Sequence, residues 1–198
     1  MLWKKQALET LGTITKATRM TSCAEDLGCS LNVMDEVLKE LSILSLKVVR
    51  WNRLWNQNGQ PYVEYKDYPQ LSVVTTSVHD CPTLRQWWQT EKQSVEQFIN
   101  QFGENGISSQ MDFDPQVAKF CLESSAHSNG AWYINPLQDY LFLDKKYYLE
   151  NPDEERINVP GTVNEFNWTY RIPVSIEELN ENKELIEQIK NIASIHSK

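Results

Sequence analysis

The sequence predicts an α/β protein built on a parallel β-sheet, and its pattern favours a barrel over an open, doubly wound sheet. Three observations carry this. Strand-like apolar runs alternate with helix-periodic segments, which is the signature of βαβ units. Two acidic residues, Glu25 and Asp80, fall just after two different strand runs. Long polar segments follow strand ends, where parallel barrels carry their chemistry.

Taken in order, residues 2–18 read as a helix with Leu8, Leu11 and Ile14 on one face. A short strand, 20–24, precedes Glu25. Leu31, Met34, Val37, Leu38 and Leu41 recur at helical spacing, and residues 44–49 form an apolar run of strand length. Residues 51–70 are polar and aromatic, with Asn58-Gly59 as a turn signal. At that length the segment is expected to be a functional excursion. A third strand, 71–77, ends in Val78-His79-Asp80. Helical patterns follow at 83–88, 94–102 and 114–125. The last of these is announced by Asp114-Pro115, an N-cap acceptor followed by proline at the first helical position. Residues 131–134 are a fourth strand. After Pro136 the period loosens, and residues 151–170 read as ordered loop. Ser175-Ile176-Glu177-Glu178 is a capping-box pattern opening one final helix through Ile176, Leu179, Leu185, Ile189 and Ile192.

The chain has 198 residues, enough for one ordinary domain or a piece of a larger one. A net charge of −8 argues against nucleic acid as a partner, since phosphate binding needs clustered Lys and Arg. It leaves neutral sugars open. Cys23, Cys29, Cys81 and Cys121 form no C-x-x-C pair, and the three histidines are scattered, so neither a metal nor an organic cofactor is expected. No apolar signal core follows Met1, and no apolar run approaches the roughly 18 residues of a membrane span. The expectation is free thiols, no membrane association and a cytoplasmic protein.

Glu25 at a strand end would point into the mouth of a barrel, where partial burial could make it a proton donor. The plainer reading is an acid near a helix N-terminus. Asp80, beside His79, could hold hydroxyls and face a developing cation; it could also simply cap the helix that begins near Pro82. Together they fit glycosyl transfer, which needs two carboxyls across one bond. They also fit metal binding or other sugar chemistry. Tryptophans in polar surroundings, Trp51, Trp55, Trp87, Trp88 and Trp168, suit either core packing or stacking on sugar rings.

Four segments, in order, resemble the 4-alpha-glucanotransferase (amylomaltase, disproportionating enzyme) family. Ala24-Glu25-Asp26-Leu27-Gly28 is similar to its A-E-D-L-G segment, and His79-Asp80-Cys81-Pro82-Thr83-Leu84 to H-D-x-x-T-L. Asn135-Pro136-Leu137-Gln138-Asp139 resembles a P-x-Q-D turn. Arg156-Ile157-Asn158-Val159-Pro160-Gly161-Thr162 with Asn167-Trp168-Thr169-Tyr170-Arg171 resembles R-x-N-x-P-G-T … N-W-x-[WY]-R. Residues 41–50, His79-Asp80-Cys81 and Trp87-Trp88 are most similar to the plant-cytosolic and bacterial subgroup. The resemblance implies the C-terminal portion of a (β/α)8 barrel, roughly half its strands, acting by a retaining mechanism on maltooligosaccharides or α-glucans. It implies Glu25 as general acid/base and Asp80 as stabilising carboxylate, with His79, Arg156, Asn158, Asn167 and Trp168 near substrate.

The family's nucleophile is an aspartate in an R-x-D motif, and no arginine here has an aspartate two residues on. The chain is therefore expected to hold the last four of eight strands, with βα units over 1–135 and a C-terminal loop segment and helix over 136–198. Alone it is expected to be inactive and either to self-associate or to dock with the missing N-terminal part. Residues 44–49 and 71–74 are expected to expose apolar faces there. The competing expectations are a non-catalytic glucan-binding remnant, stacking sugar on Trp55, Trp87, Trp88 or Trp168, and a structural fragment.

Overall fold

The computed structural model describes residues 2–25, 31, 33–104 and 106–197. Its centre is a four-stranded, all-parallel sheet: β1 (Cys23–Ala24), β2 (Leu44–Val48), β3 (Ser72–Thr75) and β4 (Trp132–Tyr133), in the order β1-β2-β3-β4. Register is set by Cys23 opposite Leu44, Leu46 opposite Val73, and Val74 opposite Tyr133. Because every strand runs the same way, all four C-terminal ends reach one edge. The loops that leave those ends are therefore neighbours, whatever their separation in sequence.

Helix α1 (Leu2–Lys16) lies on α2 (Met34–Glu40), the βαβ crossover between β1 and β2. Ile14, which shares a face of α1 with Leu8 and Leu11, is exposed. After β3 come α3 (Leu84–Thr90), α4 (Lys92–Phe102) and α5 (Pro115–Ala126), then β4 and α6 (Leu137–Leu141). Asp114 caps α5 as the sequence predicts, its carboxylate accepting from Val117 N at 2.9 Å. The entry to β4 needs Gly130, because a Cβ there would stand 2.5 Å from Val74 Cγ2.

Three expectations change. Residues 51–70 are more than a polar loop: they take the place of a crossover helix between β2 and β3. Tyr62, Tyr65 and Tyr68 are buried in the main core. Arg53 ties the segment to α4 by donating to Gln97 Oε1 (2.6 Å) and Ser94 Oγ (2.9 Å). The final helix is two helices, α7 (Ile176–Glu181) and α8 (Lys183–His196), broken at Asn182. The Asn182 carbonyl caps α8 at Leu185 N, while its amide donates to Asp144 Oδ2 and Tyr147 OH. That anchoring and capping outweigh helix continuity, and Ile176 is left exposed. Lastly, residues 44–49 and 71–74 expose little apolar surface. Leu44, Val48, Val49, Val73 and Val74 are buried within the chain, Leu46 is half-buried and Leu71 is exposed.

The core gathers on the α3–α5 side of the sheet. Trp87 and Trp88 are almost fully buried there, with Phe98, Phe113, Phe120 and Leu122, and α8 lies on α5 through Leu185 and Ile192. Each indole N–H is satisfied, Trp87 by Ser94 Oγ and Trp88 by Met111 O. Stacking of sugar on Trp87 or Trp88 is thereby excluded. Cys81 and Cys121 are buried thiols whose pKa values burial pushes up; Cys29 lies outside the described residues. Among the described residues no helix is long and apolar enough to cross a membrane.

Candidate functional site

The site forms where two chain segments meet at the C-terminal edge of the sheet: the loop from β3 to α3, residues 76–83, and the segment 156–171. The first is shaped from within. Thr75 Oγ1 donates to Ser77 O at 2.8 Å, and Cys81 Sγ accepts from Val78 N and donates to Val78 O. Thr83 ends the loop as the N-cap of α3, in a capping box with Gln86. Asp80 therefore does not cap that helix, and its plainer reading falls away. Thr76, Ser77, Cys81 and Thr83 are buried, whereas His79 and Asp80 project, with side chains 48% and 40% exposed.

The second segment is held by charged and amide groups. Arg85 on α3 makes a 2.6 Å ion pair with Glu155 and also donates to Leu149 O. Gln86 donates to Asp153 and Gln138 to Glu155 O. Burial raises the pKa of Glu155 although the Arg85 guanidinium opposes it. From this anchor the chain turns across the first loop. Arg156 Nε donates to Asn158 O (2.9 Å), and Asn167 accepts from Val159 N and donates to Thr162.

These contacts deliver four side chains to one place. Asn158 Nδ2 donates to Asp80 Oδ1 at 2.6 Å, and His79 Nε2 is 3.4 Å from the same oxygen. The His79 and Trp168 rings lie 5.0 Å apart. Trp168 is exposed, yet its backbone sits at φ +69°, a conformation unfavourable to a bulky side chain. The bond from Trp168 N to Ile157 O helps hold it there. A flat apolar ring beside a carboxylate, an amide and an imidazole can stack on one face of a polyhydroxylated ring while bonding its hydroxyls.

Of the residues named from sequence, His79, Asp80, Asn158 and Trp168 converge. Arg156 and Asn167 shape the loop beneath them. Glu25 follows β1 directly, at the same edge of the sheet; parallel strands about 4.8 Å apart put β1 about 10 Å from β3. Glu25 is exposed, so the partial burial expected for it is not found, and Asp26, Leu27 and Gly28 lie outside the described residues. The α2 helix starts only at Met34, with Asp35 and Glu36 in its first turn, so Glu25 is not its N-terminal acid.

Sequence reasoning did not single out Arg50, Thr76 or Arg85, and it took Asn135 and Asp139 only as part of a turn. Thr76 N donates to Asn135 Oδ1, and the single Thr76 hydroxyl proton lies within reach of that oxygen and of Asp139 Oδ2. Asp139 is buried, and burial raises its pKa against the opposing hydrogen bond from Thr76. The available signal was an arginine at the end of a strand and an aspartate in an apolar helix. Among the described residues no group of three His, Cys, Asp or Glu side chains is placed to hold a metal ion.

The 4-alpha-glucanotransferase family profile matches residues 2–176. The chain belongs to this family. A 4-alpha-glucanotransferase of Chlamydia muridarum is 33% identical over 184 residues, covering 91% of this chain and 33% of the relative. The 4-alpha-glucanotransferase DPE2 of Oryza sativa subsp. japonica is 29% identical and covers 98% of this chain and 20% of its own length. Among solved structures, the amylomaltase from Streptococcus agalactiae in complex with acarbose superposes with a TM-score of 0.70. It has 18% identity and covers 97% of this chain and 35% of its own. The chain thus spans about a third or less of the relatives it matches, and its four parallel strands are part of their barrel fold.

Proposed function

We propose that this chain supplies the acid/base and stabilising-carboxylate side of an α-glucan transfer site. The observation that carries the reading is the contact of Asn158 with Asp80 beside the His79–Trp168 pair at the sheet's C-terminal edge. In a retaining transfer, Glu25 gives its proton to the glycosidic oxygen as that bond breaks. The anomeric carbon meanwhile bonds to a nucleophilic carboxylate, which this sequence does not assign to any of its own residues. Glu25 then takes the proton from the acceptor's hydroxyl as that oxygen displaces the carboxylate. Asp80, oriented by Asn158 and His79, holds sugar hydroxyls and offsets the positive charge developing at the ring. Trp168 stacks on a sugar ring, with Arg156 and Asn167 keeping its loop in place. No metal or cofactor enters these steps.

In this reading residues 1–135 are βα units of the catalytic barrel and 136–198 its C-terminal segment. The edges of the sheet at β1 and β4 belong to the remaining barrel wall. Exposed Trp132, Ile134 and Leu137 near β4 support docking there, either with an N-terminal barrel piece or with a second copy. The test is disproportionation of maltotriose, by the chain alone and by a complete barrel of which it forms the last strands. Glucose and longer oligosaccharides are expected from the complete barrel only. Release by the monomeric chain alone would place the nucleophile within it; inactivity of the complete barrel would favour the second reading. That reading, a non-catalytic glucan-binding module, draws on the exposed rings of Trp55 and Trp168.

A further inference from the structure

We infer that Arg50 is a positioning residue for Asp80, acting from the end of β2 through the loop between β3 and α3. The inference rests on the reading of Asp80 as a sugar-binding carboxylate, but its geometry stands by itself. Arg50 follows β2 by two residues and is 5% exposed. Its guanidinium donates to Thr76 O (3.0 Å), Thr83 O (3.4 Å), Ser77 Oγ (2.8 Å), Cys81 Sγ (2.9 Å) and Pro82 O (2.8 Å). All five acceptors lie between residues 76 and 83. They bracket His79 and Asp80, the members of that loop left projecting. One rigid fork of donors thus grips both feet of the loop and leaves its tip free to meet a ligand.

A second clamp acts from the next strand. Asn135 and Asp139, after β4, hold Thr76 through its amide and hydroxyl. The loop's start is therefore latched on two sides, by β2 and by β4, while its end is held by Arg50 and the α3 cap. A buried cation is weak evidence for added stability, since a well-packed apolar side chain often serves as well. What this fan of contacts, three of them shared by the two hydrogens of Nη2, supplies is one loop geometry, the one in which Asp80 Oδ1 meets Asn158.

The side-chain amide of Asn158 reports on this in the full chain by NMR, because it donates to Asp80 at 2.6 Å. Asp80→Ala gives the reference position for the lost contact. Arg50→Ala and Arg50→Lys are expected to move the Asn158 amide and His79 ring signals toward that reference. The His127 and His196 signals should stay in place as controls for the fold. Maltotriose affinity is expected to fall about tenfold in Arg50→Lys, which keeps the charge and loses the fork. Asn158 and His79 signals that stay at wild-type positions in both variants would overturn the inference. If Arg50→Ala gives no folded spectrum, Ser77→Ala, which removes one acceptor and keeps the cation, decides by the same two outcomes. A wild-type chain whose Asn158 and Trp168 signals ignore maltotriose would reject the glucan reading. The positioning role is judged from the ligand-free spectra.

Discussion

Replacing Arg85 with methionine tests how the site's second segment is anchored. Glu155 is 1% exposed, and Oε1 of its carboxylate accepts from Arg85 Nη1 at 2.6 Å and from Leu149 N at 3.0 Å. Oε2 is buried without a hydrogen-bond partner. Without Arg85 the carboxylate would keep a single backbone donor. Breaking a buried pair in this way costs about 3–5 kcal/mol, from a total folding stability of roughly 5–15 kcal/mol. With a urea slope of about 2 kcal/mol per molar, the midpoint should fall by about 2 M. The effect must also depend on pH. Burial already raises the pKa of Glu155 in the folded state, and removing the guanidinium raises it further. The deficit should therefore be largest above that raised folded value and shrink as pH falls toward the ordinary carboxylate range. Adding Glu155→Gln should recover most of the loss. A deficit under about 1 kcal/mol at pH 7, or one equal at pH 5 and pH 8, would refute the argument that a buried uncompensated charge is responsible.

Trp168→Gly relieves a positive φ, so it should leave stability unchanged or raise it by up to about 1 kcal/mol while weakening glucan binding. Thermal melts and a maltotriose titration check the two halves, and a clear loss of stability would show that the ring serves the fold. Asp139→Asn should flatten part of the stability–pH profile. The raised folded pKa means that wild type loses stability as pH climbs from the ordinary aspartate value through the folded one. Denaturation at pH 4 and pH 8 reads this, and a wild-type-to-variant difference that does not change with pH contradicts it. In a complete barrel that includes this chain, Glu25→Gln should reduce maltooligosaccharide transfer by about 10²–10⁴-fold; near wild-type turnover removes Glu25 from the acid/base role.

Much of the fold was legible because its signals are local. The apolar runs of β2 and β3, the Asp114-Pro115 start of α5 and the turn at Asn58-Gly59 are each written in a few adjacent residues. What stayed hidden depends on distant partners. Asn182 breaks the last helix because Asp144 and Tyr147 receive its amide. Tyr62, Tyr65 and Tyr68, inside the polar 51–70 segment, joined the core built by α4 and α5. Trp87 and Trp168 stand in similarly polar sequence, yet one is buried and the other exposed. The site divides along the same line: His79-Asp80 and Asn158 carry motif signals, whereas Arg50 shows nothing until its acceptors are seen in three dimensions.

The most direct test of the glucan site is a crystal structure of the chain with acarbose bound. A sugar ring is expected on the indole of Trp168, with hydroxyls within hydrogen-bond distance of Asp80. Acarbose seated instead in the groove of about 430 Å³ lined by Lys66, His127, Asn129 and His196, with Trp168 bare, would contradict it.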